Sequence, residues 1–337
     1  MPTLKDIARE CNVSFSTVSK ALKGSPDIGA KTVRLVQETA KRMGYHPNIS
    51  ARALRTNRTY DIGVIFEDKT GTGLQHQFFA KVFDGLNVKT HSRGYDITFI
   101  DDSISNHKNY YDHAVYRSCD GVAIVYTDFS RPDIMKLIAS TIPTVTMDYI
   151  YDKNHTAILS DNETGMTQLT EYAILQGHRR IALIQGEDTF VTQKRKKAFF
   201  SVLEQHHISI PDEYVRQGQY HNPDLCGKET RKLLELQKRP TCILFPDDYS
   251  SMGGLNVLEQ NHIKPGKDIS VAGYDGLMLS SLLNPPLTTY HQNGEELGRQ
   301  MAEQLINQIE NERYVPHVVE ISGKLIRGNS LRKILDT

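Results

Sequence analysis

Seven short, mostly apolar runs recur along the chain, at 62–66, 97–100, 122–126, 145–147, 181–184, 242–245 and 269–272, with longer amphipathic stretches between them. A strand with one face in water alternates apolar and polar residues, whereas a run that is apolar throughout needs cover on both faces. Parallel sheets flanked by crossover helices provide that cover. Seven such strands suit two doubly wound α/β lobes better than a closed barrel. The length agrees, because 337 residues exceed what one ordinary core encloses.

Several of these runs end in a carboxylate: Asp101, Asp148, Asp161 after Ile158-Leu159, Asp247 and Asp275. Open parallel sheets collect ligands at the carboxyl ends of their strands, and a ring of acceptors there suits a ligand rich in hydroxyl groups. Phe78, Phe79, Tyr126, Tyr149 and Tyr274 lie near the same ends and can stack on a sugar face, while Arg195 adds a planar donor fork. An Asp after a strand is also a common helix N-cap. No His joins the acidic ends and their spacing is irregular, so neither a metal nor a cofactor is expected.

The first sixty residues differ in kind. Residues 1–60 hold eleven Lys/Arg against four Asp/Glu, a net of +7; the rest holds 29 against 36, a net of −7. The zero net charge thus hides a basic head on an acidic body, as expected where the head meets a polyanion. Thr3 and Asp6 form a T-x-x-D capping box for a helix from Leu4, with Ile7, Ala8 and Cys11 on one face. Residues 12–14 break it, and Ser14 caps a second helix over 15–23 with Val18, Ala21 and Leu22 inward. Ala8 permits a close crossing and Val13 fills the turn. A third helix, about 30–43, supplies Val33, Leu35, Val36 and Ala40 and stops at Gly44. A plain three-helix bundle shares this pattern, but with the basic charge it reads as a helix-turn-helix whose second helix enters a major groove.

Thr3-Leu4-Lys5-Asp6-Ile7-Ala8, Val13-Ser14, Ser16-Thr17-Val18-Ser19 and Gly44-Tyr45-His46-Pro47-Asn48 fit one pattern in order and without gaps, and Ala51-Arg52-Ala53-Leu54 leads on to the first strand. In these residues the chain resembles the lactose-repressor/galactose-repressor (LacI/GalR) family. The resemblance implies that Phe15, Ser16 and Lys20 face base edges, that Ser14, Thr17 and Ser19 face phosphates, and that Thr3, Asn48, Arg52 and Arg55 also contact DNA. The chemistry is compatible: Lys20 can donate to guanine O6/N7, and Phe15 can meet a thymine methyl. It further implies a hinge that turns helical when two copies pair in the minor groove, with Leu54 as the wedge that kinks the duplex. On composition alone the same stretch is a short basic linker, too short for a stable isolated helix.

The resemblance continues through Gly177-His178-Arg179-Arg180, Asp247-Asp248 ahead of Met252-Gly253, Gly273-Tyr274-Asp275, and Pro286-Leu287-Thr288-Thr289 with His291-Gln292. It implies a body like a periplasmic sugar-binding protein, with Phe79, Asp148, Arg195, Asp247 and Asp275 at effector positions. Three domains follow: a helix-turn-helix over 1–46, a hinge over 47–60 and an effector-binding, dimerising body over 61–337. The first lobe takes about 61–159 and 292–320, the second about 160–291 and 321–337.

The reading is a cytoplasmic transcription regulator, a repressor, binding a palindromic operator as a homodimer and switched by a small polar effector, a sugar. A nucleobase corepressor or a protein partner is the alternative within that class. A sugar-binding transport protein fits the body, but the basic head is foreign to it, and residues 1–6 lack the basic-then-apolar layout of a secretory signal. Against an enzyme stand the missing P-loop and G-x-S-x-G elbow; Gly71-Thr72-Gly73 lacks the third glycine of a dinucleotide fingerprint. Cys11, Cys119, Cys226 and Cys242 are scattered, without zinc spacing. No apolar run reaches the roughly 18 residues that span a bilayer, so no membrane is expected. The chain ends without a heptad-rich tail, which favours a dimer.

Overall fold

The computed structural model describes residues 2–22, 24–45, 56, 58–67, 73–102 and 109–334. The chain forms two compact units, Met1–Thr59 and Tyr60–Thr337.

The head contains α1 (Leu4–Glu10), α2 (Phe15–Leu22) and α3 (Ala30–Arg42). The capping box forms: the Asp6 N–H donates to Thr3 Oγ1 at 3.3 Å and the Thr3 N–H to Asp6 Oδ2 at 2.8 Å. These bonds satisfy two backbone donors that a helix start leaves without partners. Ser14 does the same for α2, accepting from the Thr17 N–H at 3.0 Å. Ile7, Ala8, Cys11, Val18, Ala21, Val36 and Ala40 are buried together, with Val13 and Val33 packed against them. Leu35 departs from expectation and is 47% exposed. Two residues beyond Val33, it is turned about 200° around the helix, away from the inward stripe.

The body holds two six-stranded sheets. The first takes β1 (Asp61–Phe66), β2 (Asp96–Phe99), β3 (Gly121–Tyr126), β4 (Thr144–Met147) and β5 (Thr156–Ser160). The second takes β6 (Ile181–Gln185), β7 (Val215–Gln217), β8 (Cys242–Leu244), β9 (Ser270–Asp275) and β10 (Thr288–His291). The last two strands are shared out: β11 (Val318–Ile321) joins the first sheet and β12 (Lys324–Ile326) the second. The orders are β11-β5-β4-β3-β1-β2 and β12-β10-β9-β8-β6-β7, parallel except where β12 runs against β10. Each sheet reverses its winding once, between β1 and β3 and between β6 and β8. The chain passes between the sheets after β5, after β10 and between β11 and β12.

In the first lobe the helix Gln77–Ser92 packs on the helix Gly294–Glu310 at near-backbone contact. A Cβ on Gly298 would lie 1.8 Å from the Val82 carbonyl oxygen, and one on Gly85 1.9 Å from that of Glu295. Around this crossing Val82, Leu86, Leu297, Met301 and Leu305 join Ile62, Val64, Ala123 and Val145 in one core. In the second lobe, Asp248 is the key polar group. Its carboxylate accepts from the Leu277 N–H at 2.8 Å, the Ser280 hydroxyl at 2.7 Å and the Thr289 hydroxyl at 2.6 Å. So held, the 277–279 segment reaches across: Leu277 and Leu279 pack in the first lobe's core, and the Met278 N–H donates to Gln77 Oε1 at 2.6 Å. Among the described residues no helix is long and apolar enough to cross a membrane.

The Gly85–Gly298 crossing tests this packing. Gly298→Ala drives a methyl into backbone that cannot yield, and should cost about 1–3 kcal/mol in a urea titration. A change within about 0.5 kcal/mol, the range of an indifferent surface substitution, would mean that the helices are not in contact there.

Candidate functional site

A cleft of about 580 Å³ opens where the strand ends of the two sheets face each other. That volume lies within the range of pockets for small ligands, roughly 300–1,000 Å³. Its lining follows strand by strand from the topology. Glu67 follows β1, Tyr126 ends β3 and is followed by Thr127 to Ser130, and Met147 ends β4 and is followed by Asp148 and Tyr149. From the second sheet come Glu187 to Val191 after β6, Tyr220 and His221 after β7, Asp275 at the end of β9 and Gln292 after β10. These are the carboxyl ends on either side of both winding reversals, where crossover helices diverge and leave a crevice.

Arg195 lies in the helix Phe190–Gln205, which Thr189 caps by accepting the Thr192 N–H. It is buried and built in. Its Nε donates to Asn162 Oδ1 at 2.7 Å and its Nη1 to the Pro246 carbonyl at 2.9 Å. The guanidinium carbon sits 3.5 Å from the centre of the Tyr274 ring. Two of its N–H groups are thereby used, and the remaining three can serve whatever enters the cleft.

Asp148 and Asp275 occupy the opposing lobes and share an unusual backbone, at φ 51° and 101°. Residues other than glycine rarely take positive φ, and a side chain held there is fixed by its surroundings. A chain of hydrogen bonds joins the two carboxylates through the crossings between lobes. The Ser160 N–H donates to Asp148 Oδ1 at 2.7 Å, the Ser160 hydroxyl to Gln292 Oε1, and the Gln292 amide to Asp275 Oδ1 at 2.6 Å. Desolvation raises both acids: Asp148 to about 6, and Asp275 well above the carboxylate range, where the neighbouring Asp247 adds to the effect. The Arg195 charge opposes both shifts.

Of the residues singled out from sequence, Phe78, Phe79, Tyr126, Asp148, Tyr149, Arg195 and Asp275 line this cleft. Asp101, Asp161 and Asp247 do not. Asp101 follows the edge strand β2, away from the winding reversal, and its backbone bonds His113. Asp161 caps the helix Asn162–Leu175 by accepting the Thr164 N–H at 3.0 Å. Asp247 is buried behind the wall and accepts from the Ser250 N–H, the Ser250 hydroxyl and the His221 N–H. Tyr274 supports Arg195 from below. Sequence reading missed Glu67, Phe129, Glu187, Tyr220, His221 and Gln292. Glu67 and Glu187 carry the same signal, a carboxylate just after a strand. His221 and Tyr220 follow β7, which the apolar pattern did not reveal. The expectation that no His joins the acidic ends is also corrected, since His76 and His221 both lie beside Asp275.

On α2, Ser14, Phe15, Ser16 and Lys20 are exposed, with Thr17 and Ser19 half-buried. Phe15 is 51% exposed, which packing within the head does not explain. Lys20 Nζ is 2.8 Å from Asp27 Oδ2, an exposed pair that can exchange partners. Asn48, Arg52, Leu54 and Arg55 lie outside the described residues, while Thr3 is committed to its cap.

A head of this geometry with a two-lobed, cleft-bearing body defines a helix-turn-helix regulator of the periplasmic-binding-protein-like class. Residues 3–48 match the family model for bacterial regulatory proteins of the lacI family, and residues 170–331 match the periplasmic binding protein-like domain. A Bacillus subtilis protein named as a probable HTH-type transcriptional repressor, ExuR, is 32% identical over 99% of each chain. The HTH-type transcriptional repressor PurR of Pasteurella multocida is 28% identical over 99% of this chain and 100% of its own. Among solved structures, the Lac repressor dimer bound to operator and the anti-inducer ONPF superposes with a TM-score of 0.82, at 22% identity over 98% of this chain and 99% of that one. The chain belongs to the LacI family, and these relatives are DNA-binding transcriptional repressors rather than enzymes.

The raised Asp148 gives a pH test. A carboxyl whose folded value (about 6) exceeds its ordinary 3.8 favours the fold below about pH 4, and that contribution is lost as pH rises through 6. Asp148→Asn keeps the acceptor for Ser160 and cannot ionise. Its stability relative to the parent chain, from urea midpoints, should therefore rise between pH 4.5 and 7. A pH-independent difference would contradict the burial assigned to Asp148.

Proposed function

We propose that the chain is a homodimeric repressor whose hold on a palindromic operator is set by a small, hydroxyl-rich ligand, a sugar, that closes the cleft of the body. The observation that carries this reading is the opposition of fixed polar groups across one crevice: Asp148 on one lobe, Arg195 and Asp275 on the other, tied through Ser160 and Gln292. A ligand that donates to the carboxylates and accepts from Arg195 interacts with both lobes only when they are close. It therefore favours the closed arrangement by the difference. Phe78, Phe79, Tyr126, Tyr149 and Tyr220 offer the flat apolar surfaces that pyranose faces need. Among the described residues, Glu67, Asp128, Glu187 and Asp188 outnumber the single lining guanidinium, which favours a neutral sugar over a phosphorylated one. A nucleobase is the second reading, supported by the same aromatic surfaces. In the head, Phe15, Ser16 and Lys20 read base edges while Ser14, Thr17 and Ser19 hold phosphates. Leu54, with Arg52 and Arg55, acts in the minor groove.

Two experiments test the two halves. On the preferred operator Lys20→Ala should cost about 1–3 kcal/mol, and less on random DNA, in an anisotropy titration. Equal losses on both would place Lys20 on phosphate. For the cleft, calorimetry against neutral sugars, sugar phosphates and nucleobases identifies the ligand. Arg195→Ala and Asp275→Ala should then still bind operator but no longer respond to it, because an unpaired charged bond in a closed cleft is costly. A normal response in both variants would remove them from the site.

A further inference from the structure

Three side chains distant in sequence meet beside the cleft. His76 immediately precedes the helix Gln77–Ser92 of the first lobe, while His221 follows β7 and Asp275 ends β9 in the second. One donor atom from each lies within 4.8 Å of those of the other two. The imidazole rings lie against each other, with centroids 3.8 Å apart and planes tilted by 32°. Two imidazolium ions so close would repel, whereas neutral rings each present an in-plane lone pair, the donor that borderline cations take most often.

We propose that His76, His221 and Asp275 bind a divalent transition-metal ion of the zinc class, and that this ion bridges the two lobes. Two imidazoles and one carboxylate are too rich in nitrogen for Ca²⁺ or Mg²⁺, which take oxygen ligands, and suit Zn²⁺, Co²⁺ or Ni²⁺. Bonds to zinc of about 2.0–2.1 Å require donor atoms roughly 3–4 Å apart, within the 4.8 Å that bounds the three here, and the two stacked imidazoles must turn so that both in-plane lone pairs meet at one ion. His76 belongs to one lobe and its two partners to the other, so an ion held by all three ties the two lobes together. Three protein ligands leave a coordination position open to water or to an oxygen of the cleft's own ligand.

The surroundings suit such a site. Asp247 accepts the His221 N–H at 2.9 Å and so fixes the backbone behind that ring. The Gln292 amide holds one oxygen of Asp275 at 2.6 Å. The Phe79 ring, centred 5.4 Å from that of His76 and 5.9 Å from that of His221, shields both imidazoles on an apolar side. Outer partners of this kind orient ligands and sharpen affinity.

The test uses the full chain, freed of metal with a chelator and titrated with Co²⁺ under visible absorption, then with Zn²⁺ in competition. One Co²⁺ per chain should bind with a ligand-field spectrum of nitrogen coordination and be displaced by Zn²⁺, while Mg²⁺ should not compete. His76→Gln and His221→Gln should each weaken binding by roughly tenfold or more, while keeping the parent chain's cooperative unfolding without metal. Absence of saturable Co²⁺ binding, or binding unchanged in the double variant, overturns the proposal and leaves the pair as part of the aromatic wall. No sugar is present in this titration, so its outcome is separate from the identity of the effector.

Discussion

The body depends on the hydrogen-bond chain that runs Asp148–Ser160–Gln292–Asp275 through two of the three crossings between lobes. Ser160 and Gln292 are buried, so neither can trade these partners for water without opening the lobe crossings. The chain sets the direction of the two acids that face the cleft, and their positive φ keeps those side chains from relaxing along the strand. A second clasp, built on Asp248 and the 277–279 segment, fixes where the second lobe meets the first. Any ligand that alters the separation of Asp148 and Asp275 must therefore act on the lobe crossings themselves.

Electrostatics make that arrangement responsive. Asp148 and Asp275 are desolvated and raised, and Asp248 is pushed up to about 7 by its own burial. Arg195 partly offsets the first two, but its guanidinium is already stacked on Tyr274 and bonded to Asn162. The cleft thus holds acceptors whose charge is poorly compensated by the protein. A donor-rich ligand, or a cation, repairs this deficit in the closed form and gains most there, which is the differential interaction that a switch requires.

How much was legible in the sequence depends on how local each signal is. The Thr3–Asp6 box, the Ser14 cap and the Val18/Ala21 face act within one or two turns, and all three form as the sequence implies. The fully buried strands, such as β3 with Val122 to Val125, are visible as apolar runs. β7, β11 and β12 are short edge strands with charged residues, and β10 hides its threonine hydroxyls by donating to Asp248 and to the Gly328 carbonyl. A carboxylate after a strand has two uses that look alike locally. Asp148 and Asp275 face the cleft at positive φ, whereas Asp161 and Asp247 cap helices at negative φ, a backbone difference that the sequence does not display. The His76–His221 contact joins different lobes and has no sequence signature.

We propose that the cleft and the DNA-binding head share one equilibrium. The most direct measurement is the affinity of the cleft's ligand for the full chain with and without saturating operator DNA. Linkage requires that operator change ligand affinity by the same factor as ligand changes operator affinity, a coupling typically about 1–3 kcal/mol. Equal factors are expected in the two titrations. Ligand affinity that is the same with and without operator would contradict it, however tightly the ligand binds.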